Sequence, residues 1–167
     1  MIYVIDHEDS FTYNLVHLLD NFGTTYVSNY FNIDKKKLDA CKIIVFSPGP
    51  GDPSHYPETQ KIYHQYKGVK KIIGICLGFQ QILYAEKGQI IAQKKIFHGY
   101  QSRIKVLNGS SLFKPNKILL GGRYHSLKLK EPFYNKNLKI TMRCAETNVA
   151  MAIEDTINNV YGFQFHP

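Results

Sequence analysis

A single cysteine stands where strand-like sequence changes sharply to helix-like sequence. Residues 72–75 form an apolar run of the β type that ends at Cys76, between Gly74 and Gly78, and a helix-compatible stretch follows. Small neighbours on both sides let a side chain stand clear of such a turn, and the following N–H groups are free to face an oxyanion. The pattern predicts a nucleophile elbow, whose thiol is suited to acyl transfer through a thioester.

Strand-like and helix-like segments alternate through the first half of the chain. The β-type runs are residues 2–5, 24–28, 43–46 and 72–75. The helix-like segments are an amphipathic stretch from Phe11 to Phe22, which Gly23 closes, and residues 57–66, which begin with a proline. This order predicts a parallel sheet with helices between its strands.

The pattern changes beyond about residue 88. Short β-type pieces separated by turns follow, at residues 90–91, 104–107, 118–120, 138–142, 149–153 and 160–165. Pieces of this kind favour antiparallel strands added at one edge of a sheet. We therefore expect an α/β fold, with a mostly parallel, doubly wound (flavodoxin-like) sheet and antiparallel edge strands in the C-terminal half.

Three turns follow β-type runs, and we expect them at one rim of the sheet, where doubly wound folds form their sites. They are residues 6–10, residues 47–53 and the turn at Cys76. Within residues 47–53, glycines expose backbone N–H groups and prolines fix the direction in which those groups point. The N–H groups of Gly51 and Leu77 are the predicted oxyanion hole, and a merely stiff turn is the alternative.

A nucleophilic thiol needs a base or a helix N-terminus beside it, because a cysteine of ordinary pKa is only about 3% thiolate at neutral pH. The position of Cys76 places its thiol beside the predicted N-terminus of a helix. Of the seven histidines, His166 directly follows a β-type run and is the predicted base. The alternatives are an inert core cysteine and a structural histidine. The histidines assigned to the surface or to packing are His7, His17, His55 and His64.

Length and composition bound the class of protein. A chain of 167 residues is expected to form one domain with a sheet covered on both faces. Its cysteines, Cys41, Cys76 and Cys144, are odd in number and lack metal-like spacing, so neither a disulfide framework nor a zinc site is expected. There is no basic leader and no apolar run near the roughly 18 residues of a membrane span, so we expect a cytoplasmic protein without a membrane segment.

The net charge of +8 raises nucleic-acid binding as an alternative. The basic residues are nearly all lysines, and they are spread through the chain in short groups. No reading motif or interleaved aromatic platform accompanies them. We therefore do not expect a nucleic-acid partner.

Six blocks of the sequence, read in order, resemble the motifs of the class I glutamine amidotransferases. They are residues 6–15, 47–53, 74–80, 98–102, 123–127 and 162–167. The first block resembles most closely the glutaminase subunit of anthranilate synthase and aminodeoxychorismate synthase. The resemblance covers essentially the whole chain, and six ordered blocks are far more specific than any one of them.

The resemblance implies hydrolysis of the glutamine side-chain amide, with Cys76 as the nucleophile and His166 as its base and later proton donor. It places the oxyanion at the amides of Gly51 and Leu77. Further positions match family residues that bind the glutamine, namely Gly49, Pro50, Gly51, Gln80, Ser126 and Leu127. No cofactor or metal is implied for this chain.

The resemblance also implies two partners, L-glutamine as the substrate and a chorismate-using synthase subunit (component I) that receives the ammonia. His98 and Gly99 match a segment near that subunit. The choice between anthranilate and aminodeoxychorismate as the product is made in the partner.

Two positions depart from the family pattern. Most relatives have histidine where this chain has Phe79, and because that histidine is not the base, we expect a change in packing or at an interface. Family members also continue His-Pro-Glu, and the glutamate orients the histidine, whereas this sequence stops at Pro167. We expect a domain truncated just after the catalytic His-Pro with weakened catalysis, since a low-pKa thiol paired with imidazole exists partly as an ion pair.

Two other functions stay open at the level of sequence. One is an amidotransferase-like module with weak or no catalysis that docks on the synthase and regulates it. The missing glutamate is the observation that suggests this alternative. The other is a flavodoxin-like nucleotide binder. The turn at residues 6–10 speaks against the second, because it lacks a glycine-rich or Ser/Thr-rich phosphate cradle.

Overall fold

The structure is a computed structural model that describes residues 1–93 and 98–166. Pro167, at which the expected domain ends, lies outside the described residues. The strands are β1 (Ile2–Asp6), β2 (Thr25–Asn29), β3 (Ile43–Phe46), β4 (Lys71–Ile75), β5 (Ile90–Ala92), β6 (Tyr100–Val106), β7 (Ile118–Arg123), β8 (Leu127–Leu129), β9 (Lys139–Cys144), β10 (Ala150–Asp155) and β11 (Val160–Phe163). The helices are α1 (Thr12–Leu19), α2 (Lys35–Ala40), α3 (Pro57–Tyr66) and α4 (Leu77–Ala85).

Nine strands form one mixed sheet in the order β2-β1-β3-β4-β11-β10-β9-β6-β7. The pairs from β2 to β11 in that order are parallel, and those from β11 to β7 are antiparallel. The α/β class and the mostly parallel core with antiparallel strands in the C-terminal half are thus confirmed. Because β1, β3, β4 and β11 run in the same direction, their carboxyl ends meet at one rim of the sheet.

The inner parallel strands β1, β3 and β4 are largely buried on both faces, as such strands are when helices cover them, whereas the edge strand β2 is mostly half-buried. One face carries Tyr3, Ile5, Ile44, Phe46 and Ile72, which pack in the main core with residues of α3 and α4. The side chains that alternate with them point to the other face, where Val4, Val45 and Ile75 pack with Leu15 of α1. The two-residue period therefore divides each apolar run between two cores.

The last strand differs from the sequence-based expectation. Residues 160–165 were expected at an antiparallel edge, but β11 lies inside the sheet, parallel to β4, with Gly162 opposite Gly74. This position brings the segment after β11 to the same rim as Cys76. Two short strands, β5 and β8, form a separate antiparallel pair rather than edge strands of the main sheet.

The helices also depart from the expectation in two places. Helix α1 ends at Leu19, and a 3₁₀ turn over Asp20–Phe22 leads to Gly23, so the predicted helix was too long and Phe22 is exposed. Helix α2 was not predicted, because six residues with one buried side chain, Leu38, show no helical period. Across the described ranges, no helix is long and apolar enough to cross a membrane.

Candidate active site

Cys76 occupies a strained turn between β4 and α4. It is the N-cap residue of α4 and has φ 52° and ψ −100°, a conformation that non-glycine residues rarely adopt. Its backbone N–H donates to the carbonyl oxygen of Phe163 at 2.8 Å, which ties the turn to β11. The strand, the sharp turn and the helix are those of a nucleophile elbow.

The two glycines beside the elbow are required by close backbone contacts. A Cβ on Gly74 would overlap the carbonyl oxygen of Gly78, and a Cβ on Gly78 would overlap that of Phe46. Helix α4 therefore starts directly against the ends of β3 and β4. This approach is the physical reason for the Gly-x-Cys-x-Gly pattern.

Cys76 opens on a cavity of about 160 Å³ at the rim of the sheet. The loop after β3, the start of α4 and the segment between β7 and β8 enclose it. Every residue predicted to bind glutamine or the oxyanion is in the lining of this cavity. The lining residues are Gly49, Pro50, Gly51, Cys76, Leu77, Gln80, Tyr124, His125, Ser126 and Leu127. A larger cavity of about 850 Å³, near Glu86 and residues 130–136, has no cysteine, serine or threonine in its lining.

His166 is buried at the same rim, between two aromatic rings. Its ring centroid lies 5.0 Å from that of Phe11 and 5.2 Å from that of Tyr124. Its backbone N–H donates to the carbonyl oxygen of Gly122 at 2.9 Å, so β7 and the segment after β11 fix its position together. The imidazole Nε2 is buried and has no hydrogen-bond partner among the described residues, which leaves it available to a reacting proton.

The turn after β1 reaches the site through Asp9 and Phe11. Asp9 Oδ1 accepts a hydrogen bond from the Phe11 N–H at 2.8 Å, which shapes the turn into α1. Phe11 packs on His166, and the Asp9 carboxylate acts electrostatically on both Cys76 and His166. All three predicted turns thus contribute to one rim, although residues 6–10 do not line the cavity at Cys76.

The surroundings of the Cys76 thiol and of the His166 imidazole both favour the neutral form. Burial and the Asp9 carboxylate raise the pKa of Cys76 to about 12, and hydrogen bonds from the Leu77 N–H and the Gln164 side chain offset only part of this rise. Burial lowers the pKa of His166 below its ordinary 6.5, against the opposing effect of Asp9. The expectation of a low-pKa thiol partly present as an ion pair was therefore wrong, because desolvation outweighs the helix start.

Gln164 contacts the nucleophile and was not predicted from the sequence. Its Nε2 lies 3.7 Å from Cys76 Sγ, and its Oε1 accepts a hydrogen bond from Gln80 Nε2 at 3.0 Å. Gln164 is two residues before His166, so in extended backbone the two side chains point to the same side. That alternation is the signal in the sequence that points to Gln164.

A second histidine, His125, lines the cavity but is unsuited to act as a base. Its Nδ1–H donates to the carbonyl oxygen of Leu127 at 2.7 Å, and its Nε2 accepts from Arg123 Nε at 3.0 Å. Burial lowers its pKa to about 4. With both ring nitrogens engaged, it positions the segment that contains Ser126 and Leu127 and leaves His166 as the basic group.

His166 lines a neighbouring cavity of about 500 Å³, and the remaining predicted residues also lie outside the cavity at Cys76. His98 and Gly99 are exposed, and the His98 ring lies 5.5 Å from the Tyr124 ring. Phe79 is fully buried in the main core, where its ring packs near Gly162. His17, His55 and His64 are exposed, and His7 is buried.

Comparison with known proteins gives one consistent family. The sequence matches the family described as glutamine amidotransferase class-I over residues 3–167. It is 35% identical over 170 residues to anthranilate synthase component 2 of Lactococcus lactis, an alignment that covers 100% of this chain and 85% of the relative. It is 37% identical over 171 residues to anthranilate synthase component 2 of Methanocaldococcus jannaschii, covering 99% of this chain and 83% of the relative.

Solved structures show the same fold. A glutamine amidotransferase from Thermotoga maritima superposes with a TM-score of 0.75 at 13% identity, covering 99% of this chain and 74% of that one. A glutamine amidotransferase from Methylobacillus flagellatus gives a TM-score of 0.77 at 16% identity, covering 99% and 68%.

Proposed function

The chain belongs to the class-I glutamine amidotransferase family, and we propose that it is the glutaminase subunit of a chorismate-aminating synthase. In that role it hydrolyses the side-chain amide of glutamine and delivers the ammonia to a synthase subunit. The observation that carries this proposal is the elbow at Cys76, strained at φ 52° and open to a cavity lined by the predicted glutamine-binding residues. Relatives named anthranilate synthase component 2 support it over the full length of the chain.

The reaction begins from a neutral thiol and a neutral imidazole. As Cys76 Sγ attacks the amide carbon of glutamine, the thiol proton passes to His166. The oxyanion that forms is stabilised by the N–H groups of Gly51 and Leu77, which are fixed before the substrate arrives. Gly51 has φ +77°, a backbone conformation that glycine adopts without strain, and Leu77 is the first residue of α4.

Collapse of the tetrahedral intermediate releases ammonia and leaves a thioester. The protonated His166 gives its proton to the departing nitrogen, and the bond between carbon and nitrogen breaks. Water then attacks the thioester carbon while His166 accepts a proton from it. Glutamate leaves, and the thiol of Cys76 recovers its proton.

The substrate pocket is formed by elements that are distant in sequence. Gly49 and Pro50 line the cavity, and Gln80, Ser126 and Leu127 line it as well. We propose that the first pair contacts the side chain of glutamine and that the second group holds its amino-acid end. Gln80 also fixes Gln164 beside Cys76, which links substrate binding to the nucleophile.

We propose that the synthase subunit docks on the face that carries His98 and Gly99. This face is exposed, and the His98 ring packs on Tyr124, which in turn packs on His166. One line of rings therefore runs from the proposed docking face to the catalytic base. The variant His98→Glu should weaken binding of the synthase subunit while leaving hydrolysis of glutamine by the isolated chain unchanged.

The product and the compartment are further proposals. We propose that the chain supplies ammonia for anthranilate, for aminodeoxychorismate or for both, since the partner makes that choice. We place it in the cytoplasm as one domain, because its three cysteines are free and one sheet joins strands of both halves.

The test is glutamine hydrolysis by the chain, alone and with an anthranilate or an aminodeoxychorismate synthase subunit, compared with Cys76→Ala. We expect glutamate release that depends on Cys76, and glutamine-dependent product with at least one partner. Tight binding to a partner without any glutamate release would instead identify a regulatory module that docks on the synthase.

A further inference from the structure

His7 is a buried histidine that the proposed reaction does not use. It directly follows β1 and has no exposed surface. Its backbone N–H donates to Ser47 Oγ at 2.9 Å, and its ring Nδ1 lies 3.2 Å from the same oxygen. The other ring nitrogen, Nε2, lies 3.0 Å from Thr59 Oγ1 on α3. The side chain thus joins the end of β3 to a helix beneath the rim.

The hydrogen bonds select one tautomer of the ring. Ser47 donates its only hydroxyl proton to the carbonyl oxygen of Pro48 at 2.6 Å, so the hydroxyl oxygen accepts from His7. The proton of the ring is therefore on Nδ1, and Nε2 accepts from the Thr59 hydroxyl. Burial lowers the pKa of His7 to about 4, so the ring stays neutral in the physiological range.

The same side chain packs directly on the loop that contains Gly51, one of the two proposed oxyanion donors. A Cβ placed on Gly49 would lie 2.5 Å from His7 Cβ and 2.5 Å from Leu77 Cδ2, so the two side chains close on Gly49 from two directions. Tyr56, whose hydroxyl donates to the carbonyl oxygen of Pro50 at 2.7 Å, sets its ring edge-on against the His7 ring at 4.9 Å. His7 contacts the loop at Ser47 and Gly49, and it also supports the residue that holds Pro50.

We propose that His7 is a positioning residue that holds the loop at residues 47–51, and with it the Gly51 N–H, where the oxyanion forms. The inference rests on the proposed glutaminase function of this site and adds to it a group that never touches the substrate. A displacement of about 1 Å at such a site costs on the order of 100-fold in rate, because the donors must point at the oxyanion rather than at the ground-state oxygen.

Two substitutions at His7 separate positioning from simple packing. His7→Phe keeps a ring of similar shape but removes both hydrogen bonds, and it should lower kcat by about 10- to 100-fold with a smaller change in KM. His7→Asn keeps an N–H donor close to the position of Nδ1 and should recover most of the lost kcat. A role in packing alone predicts the reverse order, with the larger ring tolerated better.

Tyr3→Phe serves as the matched control. The Tyr3 hydroxyl is bonded to Ser28 Oγ at 2.7 Å and to the Asp34 N–H at 2.9 Å, and Tyr3, like His7, is fully buried. Removing the Tyr3 hydroxyl eliminates these hydrogen bonds, which lie on the β2 side of β1. Tyr3→Phe should lower Tm and leave kcat unchanged.

Ser47→Ala gives a second route if His7→Phe does not fold. It removes the hydroxyl that joins His7 to Pro48 and should also reduce kcat more than it raises KM. A folded His7→Phe or Ser47→Ala protein with the kcat of the parent would overturn the inference. If the parent chain, with a synthase subunit present, shows no glutamate release that depends on Cys76, the proposed function fails first and this inference fails with it.

Discussion

At the scale of single residues, the chemistry depends on two groups that are neutral before substrate arrives. The Cys76 thiol is desolvated and acted on electrostatically by the Asp9 carboxylate, and the His166 imidazole is desolvated between two aromatic rings. The surroundings therefore favour neither a thiolate at Cys76 nor an imidazolium at His166. The proton must therefore move during the attack, which makes the protonation state of His166 the controlling variable.

The pH dependence of kcat/KM follows from this arrangement. His166 must be unprotonated to accept the thiol proton, so activity falls as pH decreases through its pKa. Burial lowers that pKa, so the acid limb should lie below 6.5. The thiol, with a pKa raised to about 12, should add no alkaline limb near its ordinary 9.0. A profile of kcat/KM against pH measures this, and an acid limb above 6.5 would contradict it.

Phe79 provides a prediction about stability rather than chemistry. It is fully buried in the main core, away from the cavity at Cys76. Phe79→His replaces buried apolar surface with a polar ring and should reduce the free energy of unfolding by about 2–4 kcal/mol. Thermal or denaturant unfolding measures this loss. If Phe79→His increased glutaminase activity by orders of magnitude, the interpretation of Phe79 as a packing residue would be wrong.

At the scale of elements, the elbow requires α4 to begin in contact with the ends of β3 and β4. Gly78→Ala would place a Cβ against the backbone of Phe46, which cannot move aside as a side chain can. We expect a loss of about 1–3 kcal/mol or more in unfolding free energy, together with reduced glutamine hydrolysis, because Leu77 must shift.

Gly109→Ala is the control for that substitution. Gly109 has φ +97°, so alanine is strained there as well, but apart from its two chain neighbours no described residue has a heavy atom within 4 Å of the added Cβ. Unfolding and hydrolysis measured side by side should show reduced stability for both variants and reduced activity for Gly78→Ala alone. Normal activity in Gly78→Ala would mean that the close approach is dispensable.

The sequence predicts those strands and helices whose formation depends on signals in neighbouring residues. Residues 43–46 and 57–66 have the observed bounds, because an apolar run between turn residues and a proline-initiated amphipathic stretch are local signals. The elbow at Cys76 was predictable for the same reason. The helix Lys35–Ala40 was missed, since six residues are too few to show a period.

At the scale of the whole molecule, the site is a product of strand order. β11 lies next to β4, which brings Gln164 into contact with Cys76 and brings His166 to the same rim, about 90 positions after the elbow. Nothing in the run Val160–Phe163 distinguishes an interior parallel strand from an edge strand. The contact of Gln164 with Cys76 and the place of His125 in the cavity lining also depend on pairings between distant segments, although the spacing of Gln164 from His166 was a local signal.

The central claim is that Cys76 carries the acyl group of glutamine, and trapping that thioester tests it most directly. Turnover with glutamine and a synthase subunit, quenched in acid and followed by mass spectrometry of the peptides, should reveal a γ-glutamyl adduct on Cys76. Cys41 and Cys144, which are buried outside the cavity, should stay unmodified. Glutamine hydrolysis that persists in Cys76→Ala, or that proceeds with the adduct on another residue, would contradict the account.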